Sequence, residues 1–379
     1  MVRNHQFLPP EWVPQQAVLL TWPHAESDWL PIMGRVEPVF VAIGRAVTGH
    51  EALIVSCLND AHCEHVGKLL QEGGADMSRV TLYPVPSNDS WVRDHGPITV
   101  LRDGQRVLLD YRFNGWGNKY EAALDNRLSI RLHEMGAFDG LAMETMELVL
   151  EGGSIEVDGR GTLLTTAECL LSPERNPQYS RAELEALLKE QLGLERVLWL
   201  EHGQLEGDDT DGHVDTLARF CDERTIAYVS CDDPSDPHYE SLKAMESELQ
   251  GFVDADGKPY KLIPLPLPAP QYDEEGQRLP ATYANFLIIN GAVLLPTYAD
   301  PLDAIAAERL AGCFPGREII PIDARPLIHQ YGSIHCVTMQ LPAAAKYQTT
   351  KLTKLFNRRF TTEARSSRRR KDQKYSPGL

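Results

Sequence analysis

The alternation of apolar and polar residues along the chain predicts an α/β protein. Val18 to Trp22, Ala52 to Cys57 and Val80 to Val85 are apolar runs of the length of a strand. Between them, apolar residues recur at helical spacing in Ile32 to Val47 and Ala61 to Gln71. Strands that alternate with amphipathic helices are typical of sheets built from strand–helix–strand units.

A repeated unit follows from Leu148 onward. It consists of a strand, a tight turn, a second strand, a helix and a third strand, and Asn290-Gly291 is a strong hairpin signal within it. The first strands of successive copies are predicted at Leu148 to Val157, Val214 to Phe220, Ala284 to Ile289 and Ser333 to Leu341. A repeat at such intervals predicts an architecture of several similar units.

Polar residues recur where the first strand of each unit begins, and they are Asp94, Glu151, His213, Asn285 and Cys336. If the units form a ring, these starts meet at one centre. A thiol, an imidazole, carboxylates and an amide would then share one site. Polar residues are also common at loop ends without any chemical role, so a chance selection is the alternative.

The composition suits a globular protein with a cationic ligand. Of 379 residues, 42% are hydrophobic, and the formal net charge is -17. This charge disfavours nucleic acid or an anionic membrane as a partner of the folded body and favours a small cationic substrate. The seven cysteines lack Cys-x-x-Cys spacing, and the sequence shows neither a signal peptide nor a membrane-length apolar run, so we expect a cytoplasmic protein. A homodimer stays open as its assembly.

The composition changes at about Ala343. Residues 343–379 contain Arg358-Arg359 and Arg368-Arg369-Arg370-Lys371 with few apolar residues, which is typical of a disordered basic tail. We therefore predict one catalytic domain over residues 1–342 and a basic tail over 343–379. Contact of this tail with nucleic acid or an acidic partner is the alternative to a solvated segment without a role.

The segment from Glu206 to Asp215 holds five carboxylates and a histidine, so metal binding is considered first. An EF-hand loop would need carboxylates where Gly207 and Ala218 stand, and that motif is excluded. A magnesium or zinc site that uses His213 and the aspartates stays open.

Cys336 is the candidate nucleophile, and its base is expected to be His213. In a strand, His213 and Asp215 would share one face, because side chains alternate with period 2. By the same rule His335 would point away from Cys336 and serve poorly as its base. Glu151 is then available to orient His213.

Asp94 and Asp215 belong to different units and suggest a cation bound between them. A planar guanidinium fits, because each carboxylate can accept two of its N–H donors. The bound cation would remove the repulsion that otherwise raises the pKa of one carboxyl group. It would also favour the thiolate of Cys336 over the thiol.

Six motifs resemble those of the agmatine deiminase and bacterial peptidylarginine deiminase family, within the guanidino-group-modifying superfamily. They occur in order between about Thr21 and Pro342, and they are Ser90-Trp91-Val92-Arg93-Asp94, Phe113-Asn114-Gly115-Trp116-Gly117, Leu150-Glu151-Gly152-Gly153-Ser154, Gly207 to Asp215, Tyr283-Ala284-Asn285-Phe286 and Ile334-His335-Cys336. The resemblance implies the pentein fold, a five-bladed α/β propeller of pseudo-fivefold ββαβ repeats with the active site on the axis.

The resemblance also implies a role for each matching residue. Cys336 would be the nucleophile, His213 the general acid and base, and Glu151 its partner. Asp94 and Asp215 would clamp the guanidinium, and Asn285 would line the site. Neither a metal nor an organic cofactor is implied.

The leading prediction is deimination of agmatine to N-carbamoylputrescine and ammonia through a covalent thiouronium intermediate. Agmatine carries a distal ammonium, so acceptors and aromatic faces are expected around it. The candidates in the motifs are Trp91, Trp116, Asp89 and Asp208.

Two alternatives remain at this point. Deimination of peptidyl or free arginine would need a cation for the carboxylate, for which Arg93 and Arg112 are candidates. A non-catalytic pentein that binds ribosomal subunits is the other. His95 and Tyr331-Gly332-Ser333 depart from the agmatine deiminase pattern. These departures leave the catalytic residues intact but put the exact substrate in question.

Overall fold

The computed structural model describes residues 6–344 and has a mixed α/β architecture. Within this part of the chain, five sheets of three or four strands and one two-stranded ribbon are present. No described helix is both long and apolar enough to cross a membrane. The predicted basic tail lies almost wholly outside the described residues and stays a prediction.

The five sheets are numbered I to V here, with strands given in chain order for the first four. Sheet I contains Gln6–Phe7, Ile98–Arg102, Gln105–Arg112 and Ala142–Val149; sheet II contains Glu156–Val157, Thr162–Thr166 and Arg196–Leu200; sheet III contains Ala218–Asp222, Thr225–Ser230 and Lys261–Pro266; sheet IV contains Leu287–Ile289, Ala292–Thr297 and Glu318–Asp323; and sheet V contains Thr338–Pro342, Gln15–Thr21, Ala52–Cys57 and Val80–Pro84. The ribbon pairs Gln271–Tyr272 with Arg278–Leu279.

Each sheet contains the same unit, as the sequence repeat predicts. An antiparallel pair is followed by a helix and by a strand parallel to the second member of the pair. The helices of the five units, from sheet I to sheet V, are Leu128–Glu134, Arg181–Leu192, Tyr239–Gly251, Asp303–Cys313 and Met33–Thr48, and sheet V has an additional helix at Asp60–Glu72.

Sheet V joins the two ends of the described body. Its strand Thr338–Pro342 pairs antiparallel with Gln15–Thr21, so that Leu341 lies opposite Ala17. The unit in this sheet is therefore built from both ends of the chain, and its first strand is the last in the sequence.

The helix Arg181–Leu192 shows how local sequence sets these elements. Ser180 and Glu183 form a reciprocal capping box at its start, and Gly193 ends it with a left-handed backbone at φ 69°. Leu184, Leu188 and Leu192 are buried at a spacing of four residues, which places them on one face. Capping and periodicity agree here, so the helix has the bounds that the pattern predicts.

All four predicted first strands begin later than their apolar pattern indicated, and the one predicted from Ala284 begins at Leu287. A short 3₁₀ turn, Gly152–Ser154, interrupts the strand predicted over Leu148 to Val157, and another, Val214–Thr216, replaces the start of the one predicted from Val214. The strand predicted from Ser333 begins only at Thr338. Buried polar side chains and close backbone contacts in these turns outweigh the strand preference of the flanking residues.

These turns invalidate the alternation rule that was applied to His213 and Asp215, and to His335 and Cys336. His213 precedes the turn Val214–Thr216 instead of lying in a strand, and His335 and Cys336 also lie in a turn. Their directions are set by turn geometry, so the strand argument does not apply to them, and the prediction that His335 is not the base of Cys336 stays a prediction.

Candidate active site

The five polar residues singled out in the sequence all lie in turns just before the first strand of a unit. Asp94 is in the helical turn Val92–His95, and Glu151 immediately precedes Gly152–Ser154. His213, Asn285 and Cys336 occupy the corresponding places ahead of sheets III, IV and V. All five are buried, and the side chains of His213 and Glu151 have no exposed area.

Gly153 marks the point around which the charged groups gather. A Cβ atom at Gly153 would lie 2.5 Å from His213 Nδ1, 2.9 Å from Asp94 Oδ1 and 3.1 Å from Asp215 Oδ2. The Gly153 N–H also donates to Asp94 Oδ1 at 3.0 Å. The structure therefore brings His213 together with the two predicted clamp residues, and only glycine fits between them.

His213 is flanked by two carboxylates. Its Nδ1 lies 3.6 Å from Asp94 Oδ1 and its Nε2 lies 3.8 Å from Glu151 Oε2. Neither ring nitrogen has a hydrogen-bond partner among the described residues, although both are buried. Burial opposes protonation, but Asp94, Cys169 and Glu151 together raise the pKa of His213 well above its ordinary value. The resting site therefore contains an imidazolium that can donate a proton.

Glu151 is fixed by an arginine that the motif analysis missed. Arg175 Nε lies 2.9 Å from both oxygens of the Glu151 carboxylate. Burial opposes ionisation of Glu151, but His213 and Arg175 lower its pKa. Arg175 comes from the loop after Ala167–Leu170, and the sequence offers no motif that would link this loop to Glu151.

Cys336 is held in a network around its thiol. Asn285 Nδ2 lies 3.2 Å from Cys336 Sγ, and Asn285 Oδ1 accepts from the backbone N–H of His335 at 2.9 Å. Asp215 Oδ2 lies 3.8 Å from the same sulfur. Burial, Asp215 and Asp94 raise the pKa of Cys336 well above its ordinary value, so the resting nucleophile is a thiol.

Asp215 is ionised and has one oxygen free. His335 Nδ1 lies 2.7 Å from its Oδ2, whereas its Oδ1 is buried without a hydrogen-bond partner in the part of the chain that the structure describes. Burial opposes ionisation, but His335 and His213 lower the pKa of Asp215. His335 is thus a site residue that the sequence analysis rejected as a base and did not consider as a partner of Asp215.

Trp116 supports the second clamp residue, Asp94. Its Nε1–H donates to Asp94 Oδ2 at 2.9 Å, and its backbone adopts the left-handed conformation at φ 53° and ψ 50°. Burial raises the pKa of Asp94, and a bound cation would lower it again. Trp116 therefore reaches the site through its indole N–H, and its predicted contact with the substrate stays a prediction.

Trp91 packs at the edge of this centre. Its ring lies against Gly332, where a Cβ atom would come within 2.2 Å of the indole, and its centroid is 5.5 Å from that of Trp29. The close contact explains why glycine stands at position 332.

The other two predicted acceptors have local partners. Asp89 Oδ1 accepts from the Trp29 indole at 2.8 Å, and burial raises the pKa of Asp89 to about 6. Asp208 Oδ2 accepts from the Gly212 N–H at 2.6 Å and so closes the loop before His213. Neither contact reaches the charged centre, and a substrate role for these two residues stays a prediction.

The two arginines considered for a substrate carboxylate lie elsewhere. Arg93 Nε donates to the His335 carbonyl at 3.3 Å and its Nη1 donates to Gln340 at 2.6 Å. Arg112 is exposed at the end of its strand in sheet I. Arg93 thus supports the turn of Cys336 from behind.

Two groups of buried donors are close enough to hold a metal ion: Glu151, Cys169 and His213, and Glu11, Glu156 and His335. Arg175 is paired with the first group, and Arg219 forms ion pairs with both glutamates of the second. These guanidinium groups already balance the carboxylate charges. The predicted independence from a metal stays a prediction.

Two loops cover the centre and are tied to one another. Lys119 Nζ donates to the Asp209 carbonyl at 2.7 Å and to Asp211 Oδ1 at 2.9 Å, and the Tyr120 hydroxyl donates to Asp209. Asp211 also pairs with Arg175. A cavity of about 50 Å³ is bordered by Glu11 and His335 among others, and Cys336 does not line it.

Comparison with known proteins identifies similar chains over nearly the whole described body. The family model of Porphyromonas-type peptidyl-arginine deiminases matches residues 7–342. An agmatine deiminase of Stutzerimonas stutzeri is 33% identical over 360 residues, which cover 89% of this chain and 95% of the relative.

Two solved structures are similar as well. A cysteine-to-serine variant of the C. jejuni agmatine deiminase with substrate bound is 35% identical with a TM-score of 0.84, and the match covers 91% of this chain and 99% of that one. A Porphyromonas gingivalis protein provisionally named an arginine deiminase is 52% identical with a TM-score of 0.84, and the match covers 89% of this chain and 99% of that one.

Proposed function

Since the chain belongs to the Porphyromonas-type peptidyl-arginine deiminase family, we propose that it hydrolyses agmatine to N-carbamoylputrescine and ammonia. One observation carries the proposal. His213, Asp94 and Asp215 surround Gly153, and the Asp215 carboxylate lies 3.8 Å from Cys336 Sγ. Two buried carboxylates beside a thiol and an imidazolium suit a planar cation whose central carbon is attacked by sulfur.

Binding of the guanidinium prepares the nucleophile. In the free site, Asp215 and Asp94 help to keep Cys336 a thiol. A cation held by both carboxylates would cancel their effect and lower the pKa of the thiol, because an opposite charge nearby favours the thiolate. The substrate thereby generates the nucleophile that attacks it.

The reaction then proceeds in two steps. The thiol proton passes to solvent as the thiolate forms. Cys336 Sγ then forms a bond to the guanidinium carbon, and the C–N bond to one terminal nitrogen breaks as His213 donates a proton to the departing ammonia. A thiouronium group remains on the sulfur. His213 next accepts a proton from a water molecule, whose oxygen bonds to the carbon as the C–S bond breaks, which releases the ureido product and the thiol.

The five sheets are proposed to be the blades of a propeller around a pseudo-fivefold axis. Each sheet has the same strand connections. Each unit also contributes one residue to the centre from the turn ahead of its first strand, in the order Asp94, Glu151, His213, Asn285 and Cys336. A ring of repeats is the simplest arrangement that brings five such turns together.

Agmatine is favoured over arginine by the charges near the centre. Arg93 donates its N–H groups to the turn of Cys336 and to Gln340. Lys119 is held by Asp209 and Asp211. A substrate carboxylate would therefore have to compete with existing partners for either cation.

Deimination of free or peptidyl arginine is the second candidate. It is favoured by the 52% identity to the P. gingivalis protein provisionally named an arginine deiminase.

The seven cysteines are free thiols, which supports a reducing compartment such as the cytoplasm as the proposed location.

One assay separates these functions. The purified protein is incubated with agmatine, arginine and an arginine-terminated peptide, and ammonia and ureido product are measured. We expect product from agmatine and none from a folded Cys336→Ala variant. Product from arginine alone would establish the second candidate, and no product from any of the three would favour a binding protein.

A further inference from the structure

His335 lies between two buried carboxylates. Its Nδ1 is 2.7 Å from Asp215 Oδ2, and its Nε2 is 2.7 Å from Glu11 Oε2. The residue is 1% exposed. A neutral imidazole carries a single N–H, so two carboxylate contacts at this distance require the doubly protonated ring. His335 is therefore a fixed cation directly behind Asp215.

Glu11 is built to hold this cation. Its Oε1 accepts from the backbone N–H of Ile288 at 2.6 Å, and its Oε2 also accepts from Arg219 Nη2 at 2.9 Å. Burial opposes ionisation, but His335 and Arg219 hold the pKa of Glu11 far below its usual range. Glu11 is thus ionised and immobile.

The contact with His335 makes the two carboxylate oxygens of Asp215 different from each other. Oδ2 is occupied by the imidazolium and faces the Cys336 sulfur at 3.8 Å. Oδ1 is buried and has no hydrogen-bond partner within residues 6–344. Because one oxygen is fixed, the other can point in only one direction, and it is the one available to a guanidinium N–H.

We propose that His335, held by Glu11, is a positioning residue that fixes the rotation and the charge of Asp215 so that its Oδ1 accepts from the substrate. The proposal rests on the proposed function and adds a residue to it. His335 does not touch the reacting atoms, and it acts through Asp215.

His335 is surrounded by charges from several elements, which any pH effect must include. The negative charges of the two carboxylates that contact His335 are balanced by nearby guanidinium groups. The groups that face His335 are Asp215, Glu11, Glu156, Arg93 and Arg219.

The test measures binding separately from chemistry. In a Cys336→Ser background, calorimetry gives the affinity for agmatine of the unaltered site, of His335→Gln and of His238→Gln. His238 is the matched control because it is also buried and contacts a carboxylate, Asp236, at 2.9 Å. We expect at least about tenfold weaker binding for His335→Gln and less than about twofold change for His238→Gln, since one lost charged hydrogen bond changes affinity by roughly this factor.

Steady-state kinetics on enzymes that retain Cys336 provide the second readout. Glu11→Gln removes the carboxylate that holds His335 Nε2, so KM for agmatine should rise while kcat changes less than KM, because Asp215 acts through substrate binding. Equal affinity in folded His335→Gln, or an unchanged KM in folded Glu11→Gln, would overturn the proposal. Failure of both variants to fold would also contradict it, because the pair would then be structural.

The outcomes keep the two proposals apart. If the unaltered enzyme releases no ammonia from agmatine and Cys336→Ser does not bind it, the proposed function fails. If both occur and the His335 and Glu11 variants behave like the control, only the positioning role of His335 fails.

Discussion

Arg175 Nε lies 2.9 Å from both oxygens of Glu151, and neither side chain is exposed. The same guanidinium pairs with Asp211 in one of the covering loops. The orientation of the group beside His213 is therefore coupled to the loop that closes the site. This coupling depends on a residue outside the recognised motifs.

Replacement of Arg175 by lysine should impair catalysis and stability together. An ammonium cannot reproduce the planar contact with Glu151 or reach Asp211 at the same time. We expect kcat to fall about 10- to 100-fold, as for other small misplacements of a reacting group. Urea denaturation should show a loss of about 2 kcal/mol for the charged hydrogen bonds.

Arg181→Lys is the control for this substitution. Arg181 forms an exposed pair with Glu201, and such pairs contribute little. Its kcat should be unchanged, and its stability should change by less than about 0.5 kcal/mol. A normal kcat in Arg175→Lys would show that Glu151 keeps its orientation without this contact.

Replacement of Gly153 by alanine should abolish substrate binding. The added methyl group would come within 2.5 Å of His213 and 2.9 Å of Asp94, which is closer than real Cβ contacts. Gly153 does not have a positive φ, so the backbone tolerates alanine and the effect is confined to the site. We expect kcat/KM to fall by at least about 100-fold, or about 3 kcal/mol.

Gly312→Ala is the matched control. Gly312 lies in the helix Asp303–Cys313, and a Cβ atom there meets no atom within 4 Å. Activity should be unaffected, and stability should rise by up to about 1 kcal/mol because alanine favours helix. Wild-type kinetics in Gly153→Ala would mean that the substrate does not occupy the space around this residue.

A cationic alkylating agent should react with Cys336 faster than its neutral analogue. The thiol pKa is raised by burial and by the carboxylates, and an amidinium bound between Asp94 and Asp215 would reverse the second effect. At pH 7 we expect 2-chloroacetamidine to inactivate at least about tenfold faster than chloroacetamide, by the cation effect on the thiolate fraction. Agmatine should protect against it.

Two measurements make this result specific. Mass spectrometry should locate the label on Cys336 and not on Cys63, a cysteine with partial exposure. In Asp94→Asn the preference for the cation should shrink. Equal rates for the two reagents would argue against a cation site beside the sulfur.

Glu51 should make stability depend on pH away from the active site. It is buried, its Oε2 accepts from the Asn290 N–H at 2.9 Å, and its Oε1 has no partner. Burial raises the pKa of Glu51 from 4.5 to about 7. Between these two pH values the folded state binds more protons than the unfolded state, so stability falls as the pH rises.

Glu51→Gln should remove this dependence. Relative to wild type, the variant should gain up to about 3 kcal/mol between pH 4.5 and pH 8, which is the free energy of this pKa shift. Urea denaturation at pH 5 and pH 8 measures it, with the exposed Glu72→Gln as control. If wild type and Glu51→Gln lose the same stability between pH 5 and pH 8, the pH dependence belongs to groups other than Glu51.

The sequence by itself determined the repeated unit and the identity of the central residues. Strand and helix patterns are local, and caps such as Ser180 and Gly193 act within one turn, so they can be read from neighbouring residues. The recurrence of Asp94, Glu151, His213, Asn285 and Cys336 ahead of first strands also follows from position alone.

Only the tertiary structure decided how these residues are supported. Arg175 reaches Glu151 across 24 positions of sequence, and Glu11 reaches His335 across 324, and no periodicity reports contacts of that kind. The strand rule does not apply to His335, because its turn is shaped by hydrogen bonds that its backbone N–H donates to Asn285 and its carbonyl accepts from Arg93. Sequence patterns report only on residues that are close together in the chain. A buried charge needs a partner, and the fold can supply one that lies far away in the sequence.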